Sequence, residues 1–170
     1  MTANLYLREV NDDALLVFFE MQKDPEAVRM AAFTPENPAD REAFEAHWQR
    51  IMNTETVIVR TVIWNGEVAG HVLSYEVLGK PEVSYWIARH LWGKGIATRA
   101  LKLFLADVNR KRPIYGRVAR DNLASIRVME KCGFRVIEET KGFANARGEE
   151  IDELVLELRQ GNERLSDNIE

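Results

Sequence analysis

Two glycines, Gly93 and Gly95, flank Lys94 where a β-branched and aromatic run, Val83-Ser84-Tyr85-Trp86-Ile87-Ala88, gives way to a helical stripe starting at Ile96. Glycine lets backbone approach a ligand closely. The unpaired N–H groups of a first helical turn, at the positive end of the helix dipole, attract phosphate. Trp92, Gly93, Lys94, Gly95, Ile96, Ala97 and Thr98 thus have the make-up of an anion cradle, with Lys94 adding a mobile positive charge. Taken alone, the same residues also read as a tight turn that merely starts a helix. Two nucleotide motifs are excluded. A Walker loop needs Gly-Lys followed by Ser or Thr, and Gly95 follows Lys94; a dinucleotide fingerprint needs a third glycine where Thr98 stands.

The elements that must position this cradle are legible from pattern. Residues 4–10 alternate as a strand, and Asn11-Asp12-Asp13 caps a helix carrying Leu15, Phe18 and Phe19 on one face. A short helical piece, Glu26 to Ala32, follows Pro25. Asn37-Pro38 predicts another helix start, with Phe44, Trp48 and Ile51 on its apolar face. Thr56 to Trp64 is β-branched and meets a return strand, Glu67 to about Val77, through Asn65-Gly66, the strongest short hairpin signal. Gly79-Lys80-Pro81 predicts the next turn and Glu82 to Ala88 the third strand of a meander. A helix after Gly95, a strand Ile114 to Ala119, a helix Asn122 to Cys132 stopped by Gly133, and strands Phe134 to Thr140 and Glu150 to Leu158 complete the order. The expected fold is α+β: a mixed, mostly antiparallel sheet of about seven strands with helices on both faces. Residues 1–159 are expected to form one domain and residues 160–170 a polar tail.

Composition narrows the chemistry. The 170 residues are 46% hydrophobic and 29% charged, with a formal net charge of -4, enough chain to bury roughly two thirds of its unfolded surface without metal or disulfide. One cysteine, Cys132, and three scattered histidines, His47, His71 and His90, supply no disulfide framework and no metal site. No apolar run approaches the ~20 residues of a membrane span, and no basic surface is on offer for direct nucleic-acid binding. The N-terminus lacks the pattern of a signal peptide, so a cytoplasmic location is expected.

Two blocks in this order carry a resemblance. His90-Leu91-Trp92-Gly93-Lys94-Gly95, at a strand-to-helix junction, is similar to the Gln/Arg-x-x-Gly-x-Gly/Ala signature of the GNAT superfamily of acyl-CoA-dependent N-acyltransferases. Asn122-Leu123-Ala124-Ser125, followed by Met129-Glu130-Lys131-Cys132-Gly133-Phe134, resembles that family's Asn-x-x-Ser helix ending in Glu-Lys-x-Gly-Phe. Trp92 to Thr98 looks closest to the branch that includes the ribosomal-protein N-terminal acetyltransferases. Two positions depart from the family pattern: His90 stands for Gln or Arg, and Met129 where many members carry a tyrosine as general acid.

The resemblance implies acetyl-CoA as cosubstrate, with its pyrophosphate on the amides from Trp92 to Thr98. Pantetheine would lie as a quasi-strand along Trp86, Ile87 and Ala88 where the sheet splays, and an N–H near Ile87 would face the thioester carbonyl. Asn122 is expected to reach the pantetheine arm as well as cap its helix, and Ser125 to donate to the departing sulfur or else to bond within its helix. The acceptor is a primary amine, from a protein N-terminus or a small molecule, and must attack in its neutral form. Glu82, which shares one strand face with Ser84, Trp86 and Ala88, is the first candidate base; the alternative is a solvated strand-end carboxylate. Glu76 is the reserve. The loop Phe33 to Asn37 is the expected acceptor contact, Arg110-Lys111-Arg112 reads as a helix-end cluster or a contact for the 3'-phosphate, and Cys132 reads as a small core residue. The two departures also keep a non-catalytic CoA-binding module in view, and an interaction with a second copy of the chain is left open.

Overall fold

The computed structural model describes residues 4–160; of the expected tail, residues 161–170 lie outside the described part. Seven strands form one sheet in the order β1-β2-β3-β4-β5-β7-β6. They are β1 (Leu5–Arg8), β2 (Ile58–Trp64), β3 (Glu67–Val77), β4 (Lys80–Ile87), β5 (Ile114–Ala119), β6 (Arg135–Ala144) and β7 (Glu149–Leu158). Every pairing is antiparallel except β4 with β5. The helices are α1 (Asp12–Gln22), α2 (Pro25–Ala31), α3 (Arg41–Asn53), α4 (Ile96–Asp107) and α5 (Leu123–Lys131). No described helix is long and apolar enough to cross a membrane.

Local chemistry sets most of these limits. Asn65 and Gly66 take φ values of 48° and 85° and close the β2–β3 hairpin, a two-residue turn that needs both central residues left-handed. The β3–β4 turn does the same with Leu78 and Gly79, at 51° and 78°, so β4 begins at Lys80 and includes Pro81, one residue pair earlier than the Gly79-Lys80-Pro81 turn predicted from sequence. The α3 helix starts at Arg41, not at Asn37-Pro38, because the Asp40 carboxylate takes the Ala43 N–H (3.1 Å) and is the better-placed cap. Strand β6 runs on to Ala144, beyond the expected end at Thr140, held by register with β7 through Ala144 opposite Glu149.

The two sheet faces are covered by different helices. On one, His71 of β3 meets Phe18 of α1 and Trp48 of α3, with ring centroids 4.7 and 5.0 Å apart. On the other, Asn109, just past α4, donates to the Ser74 hydroxyl at 2.9 Å, and Tyr85 of β4 reaches Ser125 of α5. The core between sheet and helices holds Phe18, Val62, Val72, Leu101, Phe104, Ile114 and Leu156, each at most 2% exposed. Burial of a Leu- or Phe-sized side chain contributes roughly 1.5–3 kcal/mol, so this double layer fixes the sheet firmly enough to hold a gap in it.

Candidate active site

That gap lies between β4 and β5. The two strands run parallel but are in register only at Glu82 opposite Tyr115, after which they diverge. The Ala88 N–H points back to the Ala69 carbonyl of β3 (2.8 Å). Strand alternation therefore turns the N–H and C=O of Ile87 the opposite way, into the gap. Trp92 Nε1–H donates to that Ile87 carbonyl at 2.8 Å, which pins the indole at the gap's edge and leaves the Ile87 N–H facing the opening.

A cavity of about 770 Å³ fills the divergence. At one end stands the start of α4. Gly93 and Gly95 have φ values of 79° and 76°, a backbone region that favours glycine. Gly95 is the cap residue and offers no side chain; the first intrahelical bond runs from Arg99 N–H to Gly95 C=O, so the amides of Ile96, Ala97 and Thr98 lack a helical partner. Of the cradle expected from sequence, Trp92, Gly93, Gly95, Ile96, Ala97 and Thr98 line the cavity, as do Trp86 and Ile87. Lys94 and Ala88 do not: Lys94 is exposed outside the wall, and Ala88 is buried with its N–H spent on β3. His90 turns away as well, to Glu67 Oε2 at 3.3 Å, so the cradle is made by backbone and its first motif position contributes no side chain. Arg127 and Lys131 of α5 add positive charge to the wall; neither was singled out from sequence.

Asn122 caps α5 through its Oδ1, which accepts the Ser125 N–H (3.2 Å), while its Nδ2 donates to the Met30 carbonyl (3.2 Å). It lies in the cavity wall but also ties α2 to α5. Ser125, one turn on, has its Oγ 2.7 Å from the Tyr85 hydroxyl, and burial pushes that phenol up to about 12. Both residues line the cavity. Met129 is instead core: it is 2% exposed and packs under Gly116, where even a Cβ would overlap its terminal methyl.

At the cavity's other end β3, β4, β5 and β7 bring charged groups together. Glu82 is not a solvated carboxylate: it is 4% exposed, and Arg117 Nε donates to its two oxygens at 3.2 and 3.4 Å. The Tyr75 hydroxyl also donates to it, at 3.5 Å. Arg117 Nη1 reaches on to Glu153 Oε1 at 3.4 Å. Arg117, Tyr75 and Glu153 line the cavity, whereas Glu82 sits behind them. Burial pushes the Glu153 carboxyl above the usual carboxylate value, against the pull of Arg117, and the Glu82 charge adds to the rise. Glu153 was not picked out from sequence; its only signal there was an acidic residue in the last strand. The reserve base, Glu76, lies outside the cavity wall in an ion pair with Lys111 (2.9 Å).

Other expectations resolve simply. Phe33 lines the cavity beside Met30 and Ala31 of α2, but Thr34 to Asn37 do not. Arg112 folds back on the carbonyls of Leu105 (2.8 Å) and Asn109 (3.1 Å) and so closes the end of α4. Burial pushes the Cys132 thiol up to about 11, consistent with a packing role.

Comparison with known proteins agrees with this geometry. The family model described as an acetyltransferase (GNAT) domain matches residues 4–135. Among curated protein sequences none matches. A spermidine N-acetyltransferase from Vibrio cholerae, solved with CoA and spermine, superposes with a TM-score of 0.78 at 19% identity over 92% of this chain and 95% of that one. RimJ from Mycobacterium smegmatis, with CoA-disulfide, gives 0.75 at 18% identity over 93% and 83%. A ribosomal-protein-alanine N-acetyltransferase from Brucella melitensis gives 0.74 at 20% identity over 91% and 99%. At such identities the structures speak for the fold; the family match, which spans most of the chain and includes both the glycine cradle and the Asn122 helix, carries the assignment. This chain belongs to the GNAT acetyltransferases, enzymes that draw their acetyl group from acetyl-CoA.

Proposed function

We propose that the protein transfers the acetyl group of acetyl-CoA to a primary amine, of a protein N-terminus or a small molecule, by direct attack in a ternary complex. The observation that carries this reading is one continuous cavity that has unpaired helix-start amides at one end and a buried carboxylate–guanidinium cluster at the other. Anion binding and amine binding are thereby separated along a single channel.

The residues fit acetyl-CoA. A cavity of about 770 Å³ is large enough for an extended ligand of that class, and neither Gly93 nor Gly95 places a Cβ between ligand and backbone. Gly93, Gly95, Ile96, Ala97 and Thr98 would hold the pyrophosphate through backbone amides. Tyr85 and Ile87 would present their backbone groups to the pantetheine amides as a missing strand neighbour. The cosubstrate supplies an activated acetyl thioester.

The chain's own groups do the rest. The Ile87 N–H is aimed into the gap and stabilises negative charge developing on a carbonyl oxygen there. The Ser125 hydroxyl, backed by Tyr85, delivers a proton to the leaving thiolate, taking the place of the tyrosine that Met129 replaces. A thiol of ordinary pKa near 8.5 asks for only modest help of this kind. Proximity and fixed orientation of two substrates in one channel provide most of the acceleration. Nothing in the reaction requires a metal or a nucleophilic cysteine.

The test is an acceptor screen with detection of released thiol, over N-terminal peptides, polyamines, monoamines and amino acids. Time-dependent thiol release with an amine, with no acetyl-enzyme detectable by mass spectrometry, supports the reading. Tight binding of acetyl-CoA without turnover on any amine refutes it and leaves a CoA-binding module.

A further inference from the structure

We infer that Glu153, rather than Glu82, receives the acceptor's ammonium group and takes its proton, while Glu82 and Arg117 hold Glu153 in place. The inference rests on the acetyl transfer proposed above and adds the group that prepares the amine.

The geometry separates the two carboxylates. Glu82 is sealed behind Arg117, with its side chain 5% exposed and both oxygens engaged by the guanidinium. An amine would have to displace Arg117 to reach it. Glu153 stands in the cavity wall with 13% of its side chain exposed; Arg117 reaches its Oε1 at a long 3.4 Å and the Thr140 hydroxyl donates to the carboxylate, so no cation seals it as Arg117 seals Glu82. The groups that face it are Arg117 from β5, Glu82 from β4, Tyr75 from β3 and the Thr140 hydroxyl from β6. Two carboxylates against one guanidinium leave the cluster with a net negative charge when both are ionised, suited to an ammonium group. Phe33, Met30 and Tyr75 give the acceptor's carbon chain an apolar wall beside it.

The step balances without any further reactant. An N–H bond of the ammonium group breaks, its electron pair stays on nitrogen, and the proton forms an O–H bond on Glu153. The freed pair forms the C–N bond as the C–S bond breaks; sulfur keeps the C–S electron pair and takes the Ser125 proton, and the cationic amide nitrogen sheds its second proton, which through solvent restores the Ser125 hydroxyl. Glu153 returns its proton to solvent through the open cavity. Partial burial suits the task, because a carboxyl whose proton affinity is raised is a stronger base.

The experiment compares the parent with Glu153→Gln, Glu153→Asp and Glu82→Gln. Readouts are kcat/KM for the best acceptor across pH, and acetyl-CoA affinity by tryptophan fluorescence. Glu153→Gln is expected to lower kcat/KM roughly a hundredfold, to abolish the acid limb of the profile and to leave acetyl-CoA affinity unchanged. Glu153→Asp should keep the acid limb at reduced rate, and a folded Asp variant without that limb overturns the inference even if the Gln variant fails to fold. Parental rate and profile in Glu153→Gln overturn it with the acetyl transfer intact. A parent that binds acetyl-CoA yet acetylates no amine overturns the proposed function itself, and this assignment with it.

Discussion

The hydroxyls of Tyr85 and Ser125 lie 2.7 Å apart across the floor of the cavity, one from β4 and the other from α5, and so link the strand that borders the gap to the helix that covers it. Because burial pushes the Tyr85 phenol up to about 12, it stays protonated through the working range. Tyr85→Phe and Ser125→Ala should each lower kcat roughly tenfold. Neither the parent nor either variant should show an alkaline limb from Tyr85 below about pH 10, as checked by steady-state rates against pH.

Gly93→Asp should remove acetyl-CoA binding. No neighbour clashes with a Cβ at this position, so the loss comes from the left-handed φ of 79° and from charge. A carboxylate about 4 Å from a phosphate costs roughly 4 kcal/mol at an effective dielectric near 20, enough for more than a hundredfold. Calorimetry with CoA measures it, and unchanged affinity would remove the helix start from the binding site.

Arg117→Met strands Glu82, which is 4% exposed, without its cation. Full loss of a buried partner costs about 3–5 kcal/mol. With Arg117 itself 42% exposed, solvent offsets part of it, so about 2 kcal/mol is expected. That corresponds to a fall of roughly 4–8 °C in Tm. Adding Glu82→Gln should restore most of it in a thermal melt.

His71 packs its ring against Phe18 and Trp48, and burial holds its imidazole down at about 3, against 6.5 in the unfolded chain. The unfolded state therefore binds the extra proton between these values. The contribution to stability is complete above pH 6.5 and is lost as pH falls toward 3, at about 1.4 kcal/mol per pH unit. His71→Phe should move the acid-unfolding midpoint to lower pH, followed by circular dichroism.

Cys132, with its thiol raised to about 11 by burial, should react with a disulfide reagent at pH 7.5 about a hundredfold more slowly than a free thiol. Cys132→Ala should leave acetyl transfer unchanged.

What the sequence discloses about this protein is local. Asn65-Gly66, the Gly93–Gly95 junction and the Asn122 cap each declare themselves within a few residues, because a left-handed φ or a capping oxygen is a demand of the immediate backbone. Alternation also places Glu82 on the same strand face as Trp86. It does not say what covers that face. Arg117 is 35 residues from Glu82 and Glu153 a further 36 along the chain, and only the pairing of β5 with β4 on one side and with β7 on the other brings them together. The same limit applies to His90, whose turn toward Glu67 follows from the hairpin's position, and to Asp40, which outcompetes Asn37 as a cap by geometry.

The divergence of β4 from β5 leaves two interior sheet edges, which in most folds invite pairing with a foreign strand. Here α2 and α5 flank the opening and restrict entry to a thin, extended molecule. In the proposed binding mode, a cosubstrate lying in that slot would act as a removable eighth strand. Its arrival should slow hydrogen exchange at the Ile87 amide and raise the folding free energy by mass action. On the proposed reading, the architecture would be finished by its own cosubstrate at the start of each turnover and reopened when CoA departs.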